Sequence, residues 1–154
     1  MSSIELRVTI SRQTIEVWRN NLFLSSYPVS TSKFGLGNEE GSFRTPLGNF
    51  EICEKYGEEE SLNTIFNARK PAGKWNPCDK TEDGDLILSR ILRLNGLEEA
   101  NANAFQRYIY IHGTNHEDKI GSPASNGCIR MKNSDIAELY DLVPLGTPLL
   151  ISAS

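Results

Sequence analysis

Ile4, Leu6, Val8 and Ile10 alternate with Glu5, Arg7 and Thr9, the period-two pattern of a strand with one buried face. Ile15 and Val17 resume the alternation after a short Ser11-Arg12-Gln13 connection. The pair Asn20-Asn21 then predicts a tight turn into a run from Leu22 to Val29, because Asn adopts positive φ more readily than most residues. The chain opens as an antiparallel meander. Phe50 to Tyr56, Leu86 to Leu94 and Tyr108 to His112 are further strand-like runs rich in Ile, Leu, Phe and Tyr.

The punctuation between these runs is equally informative. Ser30 to Gly48 is rich in Gly, Ser, Thr, Asn and Pro and reads as a long loop, and residues 57–84, acidic and carrying Pro71, Gly73 and Pro77, also read as a loop. One segment has a helical period: Ile136, Leu139, Tyr140 and Val143 form an i, i+3, i+4, i+7 stripe, with Asn133 or Ser134 as the expected cap and Pro144 and Gly146 as the stop. No repeat, linker or low-complexity tract divides the chain. The pattern predicts a single, mainly β domain over residues 1–154 with one or two short helices.

Composition narrows the classes of partner. A chain of 154 residues with 38% hydrophobic residues builds one core without cofactor or disulfide staples. Its net charge of -4 provides no global field toward nucleic acid or an anionic membrane, so an anionic substrate has to be held by local arginines. The first ten residues lack the basic start and apolar block of a secretory signal. No apolar run approaches the ~18 residues of a membrane helix, so the chain reads as soluble.

Cys53, Cys78 and Cys128 are odd in number and widely spaced, which fits neither a disulfide framework nor a zinc ribbon. The stretch with chemical content is Tyr108 to Met131, YIYIHGTNHEDKIGSPASNGCIRM. A strand delivers His112 at its end, a loop follows, and Ser125-Asn126-Gly127-Cys128-Ile129-Arg130 closes the segment. A thiol becomes a useful nucleophile when an imidazole takes its proton. Gly127 permits a sharp turn that aims the N–H groups of Asn126, Gly127 and Cys128 at one point, an arrangement suited to an oxyanion. These are the parts of acyl transfer.

Competing readings of single residues are less productive. Cys53 and Cys78 have no histidine nearby and read as structural. His116, in the polar run Asn115-His116-Glu117-Asp118, reads as a solvated loop residue. His112, His116, Asp118 and Cys128 are zinc-compatible donors, but their spacing matches no closed site, and no metal is expected. Gly35, Gly37 and Gly41 fit neither the Rossmann nor the Walker spacing. Glu58-Glu59-Glu60 reads as an exposed charged turn, and Trp18 and Trp75 receive no role.

The strings IHGT, IGSPASNGCIRM and LYDLVPLGTPLLI occur in that order, and together they resemble the L,D-transpeptidase catalytic domain of the YkuD family. VSTSKFGLG, GSFRTPLGNF and ILRL extend the resemblance over most of the chain from near Arg12. It implies a β-rich, sandwich- or barrel-like domain, acting on peptidoglycan without metal or organic cofactor. It also implies attack by Cys128 on the bond between the third residue of a stem tetrapeptide and its terminal D-alanine. An amine of another stem then resolves the acyl-enzyme as a 3→3 cross-link.

On matching positions His112 is the base, the Gly113 carbonyl orients it, and Ser125, Asn126 and Gly127 shape the oxyanion and substrate site. Arg130 braces the loop or contacts a carboxylate. Asn126 stands where the family commonly has a second histidine, and since His112 is retained the change is expected to tune the site. Two alternatives remain open: an L,D-carboxypeptidase or endopeptidase that releases the same acyl-enzyme to water, and a non-catalytic peptidoglycan-binding domain. The implied partners are stem peptides and carbapenem-type inhibitors, and the implied location is the cell envelope.

Overall fold

The computed structural model describes residues 3–78 and 84–154. Among the described residues ten strands belong to one sheet: β1 (Ile4–Thr9), β2 (Thr14–Arg19), β3 (Leu22–Pro28), β4 (Gly48–Tyr56), β5 (Thr64–Asn67), β6 (Lys70–Lys74), β7 (Leu88–Gly96), β8 (Tyr110–Gly113), β9 (Ile129–Met131) and β10 (Pro148–Ser152). One α-helix, α1 (Asn133–Leu142), precedes β10, and short 3-10 turns lie at Glu99–Ala104 and Glu117–Lys119. No helix among the described residues is long and apolar enough to cross a membrane.

The expected meander is present, with Asn20 and Asn21 both at positive φ in the β2–β3 turn. Side by side, the strands run β3-β2-β1-β10-β4-β7-β5-β6, while β8 pairs with β7 and carries β9. Just past β3, Ser30 forms an antiparallel bridge with Arg130 of β9. That bridge joins the first hairpin to the far end of the sheet and gives the fold its barrel-like closure. The interior is filled from every side: Leu6 and Val8, Ile15 and Val17, Phe50 and Ile52, Leu92 and Leu94, Ile111, Ile129 and Met131 are all buried in one cluster. Burial of each such side chain contributes roughly 1.5–3 kcal/mol.

Helix α1 lies against β7 and β8 and sends its apolar stripe, Ile136, Leu139 and Tyr140 with Val143 just beyond, into the same cluster. Its cap differs from the expectation. Asn133 is the first helical residue, and no side chain of the N-cap residue Lys132 closes the turn. Instead the carboxylate of Glu117 accepts the Asn133 N–H at 2.7 Å, a distant anion doing the work of a local cap. At the other end the Lys55 ammonium donates to the carbonyls of Tyr140 (2.8 Å) and Val143 (2.6 Å), where a cation suits the helix dipole.

A second correction concerns the stretch 57–84, read from sequence as a loop, of which 79–83 lie outside the described residues. It contains the β5–β6 hairpin, whose turn places Ala68 and Arg69 at φ 49° and 67°. Pro71 and Gly73 are compatible with β6 because that strand is an exposed edge, where a missing N–H leaves no ladder bond unmade. The expected Tyr108–His112 strand starts two residues later, since Tyr108 is in the left-handed region at φ 56°.

Candidate active site

β8 and β9 are parallel, with Ile111 opposite Ile129 and His112 opposite Arg130. Alternation then sorts the side chains by face. Ile111, Ile129 and Met131 point into the main core. His112 and Arg130 share the opposite face, and one step earlier the same register places Cys128 beside Tyr110. The Tyr110 N–H donates to the Cys128 sulfur at 3.3 Å, and the thiol donates to the Tyr108 carbonyl at 3.4 Å. Cys128 also packs on a small second cluster of Phe66, Ile91 and Tyr110.

His112 is buried, and its Nδ1 lies 2.6 Å from the carbonyl oxygen of Gly113. A carbonyl only accepts, so Nδ1 carries the proton and Nε2 is the unprotonated nitrogen. The tautomer is therefore that of a base. Gly113 also lies close against its surroundings: a Cβ there would lie 2.6 Å from the Leu88 carbonyl and closer still to Asn133 Oδ1. The Gly113→Ala variant is expected to lose about 2–3 kcal/mol of stability from this overpacking, measured by urea unfolding. The clash also displaces the carbonyl that holds His112.

Among the described residues neither the thiol nor the imidazole is hydrogen-bonded to the other, and both are neutral at rest. Burial pushes the Cys128 thiol up from 9.0 to about 11, against the opposing Tyr110 N–H. Burial likewise lowers His112, against the pull of Asp85 and the Gly113 carbonyl. A raised thiol pKa stabilises the fold below pH 9 and that stabilisation is lost as pH rises towards 11. Wild type is thus expected to lose on the order of 2 kcal/mol relative to Cys128→Ala across that window, measured by denaturant melts at matched pH.

The turn carrying Cys128 is held by residues far away in sequence. Gly127 sits at φ 125°, a conformation that L side chains rarely adopt. Its carbonyl accepts from Thr45 Oγ1 at 3.0 Å, and its N–H donates to Ser125 Oγ at 3.2 Å. Ser125 is buried and in turn donates to the Cys128 carbonyl at 2.7 Å. Of the three N–H groups that the sequence places at one point, Gly127's is thus engaged with Ser125. Those of Asn126 and Cys128 donate to no protein acceptor among the described residues. Asn126 is exposed and faces a cavity of about 320 Å³ shared with Phe43, Arg107 and Tyr108.

Arg130, expected to brace the loop or contact a carboxylate of the substrate, is enclosed by the protein. Its guanidinium is buried, donates to Asp85 at 3.0 Å, reaches His116 Nδ1 at 3.3 Å and lies 3.5 Å from Ser30 Oγ. His116 is therefore half-buried and accepts a hydrogen bond, unlike the solvated residue expected. Cys53 donates to the Arg93 carbonyl at 3.4 Å, away from Cys128.

On the other side of the Cys128 turn a second cavity, about 350 Å³, is lined by Ala68, Arg69, Ile87, Tyr108, Tyr110 and the nucleophile candidate itself. Sequence reasoning passed over Arg69, Tyr110 and Asp85. The hairpin brings Arg69 to the site from outside the motif, and Asp85 announces itself only through Arg130. Tyr110 was legible, since a parallel partner for Cys128 has to come from the strand that ends in His112.

The sequence profile of the YkuD family, the L,D-transpeptidase catalytic domain, matches residues 4–151. The YkuD protein of Bacillus licheniformis is 52% identical over 148 residues, which cover 96% of this chain and 64% of that protein. YkuD of Bacillus subtilis is 29% identical over 147 residues, covering 96% of this chain and 65% of the relative. The chain thus spans about two thirds of the length of these relatives. An L,D-transpeptidase from Mycobacterium smegmatis shares the fold with a TM-score of 0.67 at 20% identity, over 99% of this chain and 59% of that one. LdtMt1 in complex with imipenem gives 0.64 at 20% identity, over 98% and 59%. With the profile matched from the first strand to the last, this chain belongs to the L,D-transpeptidase catalytic domain family.

Proposed function

We propose that this chain is the catalytic domain of a peptidoglycan L,D-transpeptidase with Cys128 as nucleophile and His112 as base. The observation that carries the reading is the shared face of β8 and β9. It presents the thiol and an imidazole whose Nδ1 is fixed on the Gly113 carbonyl, leaving Nε2 to accept a proton.

Both groups start neutral, so proton transfer accompanies attack instead of preceding it. Sulfur bonds to the carbonyl carbon of the third stem residue as its proton passes to His112 Nε2. The N–H groups of Asn126 and Cys128 hold the oxyanion. The C–N bond to the terminal D-alanine then breaks, His112 returns the proton to the leaving amine, and a thioester remains. An amine of a second stem attacks the thioester, gives its proton through His112 to sulfur, and leaves a 3→3 cross-link and the free thiol. No metal or cofactor takes part in these steps.

Cys128 is the same group that a carbapenem would acylate, in keeping with the imipenem complex of the structural relative. The decisive experiment incubates the protein with purified disaccharide-tetrapeptide and follows products by mass spectrometry. Cross-linked dimer with released D-alanine is the expected result. Tripeptide alone would reassign the domain as an L,D-carboxypeptidase, and no product would favour a binding module.

A further inference from the structure

The cavity that holds the Cys128 thiol is walled by Ala68, Ile87, Tyr108 and Tyr110, and among the described residues its one charged group is Arg69. Arg69 stands in the β5–β6 turn at φ 67°, half-buried. Such a turn favours Gly or Asn, and a long side chain there costs about 1–2 kcal/mol in backbone conformation. The guanidinium nonetheless has a fixed seat. One nitrogen donates to the Tyr110 hydroxyl at 2.8 Å, and the group lies 5.2 Å from the centre of the Tyr108 ring.

Among the described residues Arg69 is paired with no anion. The ion pairs among the described residues are Arg7–Glu5, Arg93–Glu54 and Arg130–Asp85. Glu54, on β4, is already shared between Arg93 and the Tyr56 hydroxyl. Arg69 also borders the surface beside Glu58, Glu59 and Glu60 but pairs with none of them within 4.0 Å. Tyr110 links this cation to the chemistry directly, since its N–H donates to the Cys128 sulfur and its hydroxyl accepts from Arg69.

We propose that Arg69 is a specificity-determining residue that receives the C-terminal carboxylate of the stem peptide, an assignment that rests on the reading of Cys128 as nucleophile given above. The terminal carboxylate lies one residue beyond the scissile carbonyl, so a peptide attacked at Cys128 carries its charge along a wall of the same cavity. A guanidinium fork with one edge on Tyr110 keeps its other N–H groups for a carboxylate, the geometry such pairs favour. The turn then earns its residue through substrate choice: a stem ending in a free acid is taken, and one whose terminus is extended or neutralised is disfavoured.

The test compares disaccharide-tetrapeptide with its C-terminal carboxamide as substrates for wild type, Arg69→Gln and Arg69→Lys. Wild type is expected to prefer the acid by roughly 10- to 100-fold in kcat/KM, the worth of one charge-assisted pair. Arg69→Gln brings the ratio close to one, mainly through a higher KM for the acid, and Arg69→Lys recovers part of it. Equal slowing of acid and amide in Arg69→Gln would show a hairpin clamp only and overturn the proposal, as would a wild type that does not discriminate. Calorimetry of both peptides with Cys128→Ala, with and without Arg69→Gln, separates this from the catalytic reading. Arg69-dependent preference for the acid without turnover by wild type would overturn the transpeptidase reading and keep the carboxylate site. Absence of preferential binding would remove the site whatever the turnover.

Discussion

The Cys128→Ala variant is expected to form no covalent adduct with imipenem and to release no D-alanine from tetrapeptide, while folding as wild type does. Intact-mass spectrometry and thermal melts check both halves. The loss is complete because the sulfur is the atom that bonds to the substrate. The fold survives because the Cys128 side chain is half-buried at the edge of the small Phe66, Ile91 and Tyr110 cluster, where removing one sulfur costs roughly 1 kcal/mol. Cys53→Ala is the control. That thiol, on β4, is also half-buried, but it faces the Arg93 carbonyl of β7 and not the catalytic face, so the variant retains the adduct. An adduct on Cys128→Ala would end the mechanism proposed above.

The motif was readable because its parts are contiguous along two short parallel strands: once His112 lies near the end of β8 and Cys128 directly precedes β9, one register brings them to a common face. The meander was readable for a similar local reason, as alternation and Asn20-Asn21 specify both strands and turn. What sequence hid was hidden by physics that acts at a distance. The β5–β6 turn uses Ala68-Arg69 where a hairpin signal would be Asn-Gly, and its outer strand carries Pro71, tolerated because β6 is the edge of the sheet among the described residues.

In β10, Leu149 and Ile151 are buried while the Leu150 between them is 39% exposed, so three apolar residues in a row mask the alternation. Asn133 looked like a cap, yet its side chain is drawn inward by Thr114 and Ser89. Thr45 and Arg107 cannot be connected to the Cys128 turn by any local rule. The first holds the Gly127 carbonyl, and the second ties down the 37–44 loop through the carbonyls of Gly37 and Arg44.

The His112→Gln variant is expected to lose roughly 10²- to 10⁴-fold in kcat/KM for the tetrapeptide, with acylation by imipenem slowed and not abolished. Glutamine offers a polar group at the same depth but no nitrogen that takes up a proton near neutrality, so the thiol has to ionise on its own against a pKa of about 11. The pH profile separates this from a packing defect. Wild-type activity requires neutral His112, whose pKa burial holds below 6.5, so the acid limb lies below that value. In His112→Gln this limb disappears, and the rate climbs tenfold per pH unit through the neutral range as thiolate accumulates. Stability moves in the matching sense. A depressed imidazole pKa stabilises the wild-type fold above pH 6.5, and that contribution fades as pH falls through the folded value, whereas the glutamine variant shows no such loss from this position. A variant that is merely misfolded would lower activity at every pH by the same factor, leaving the slope unchanged.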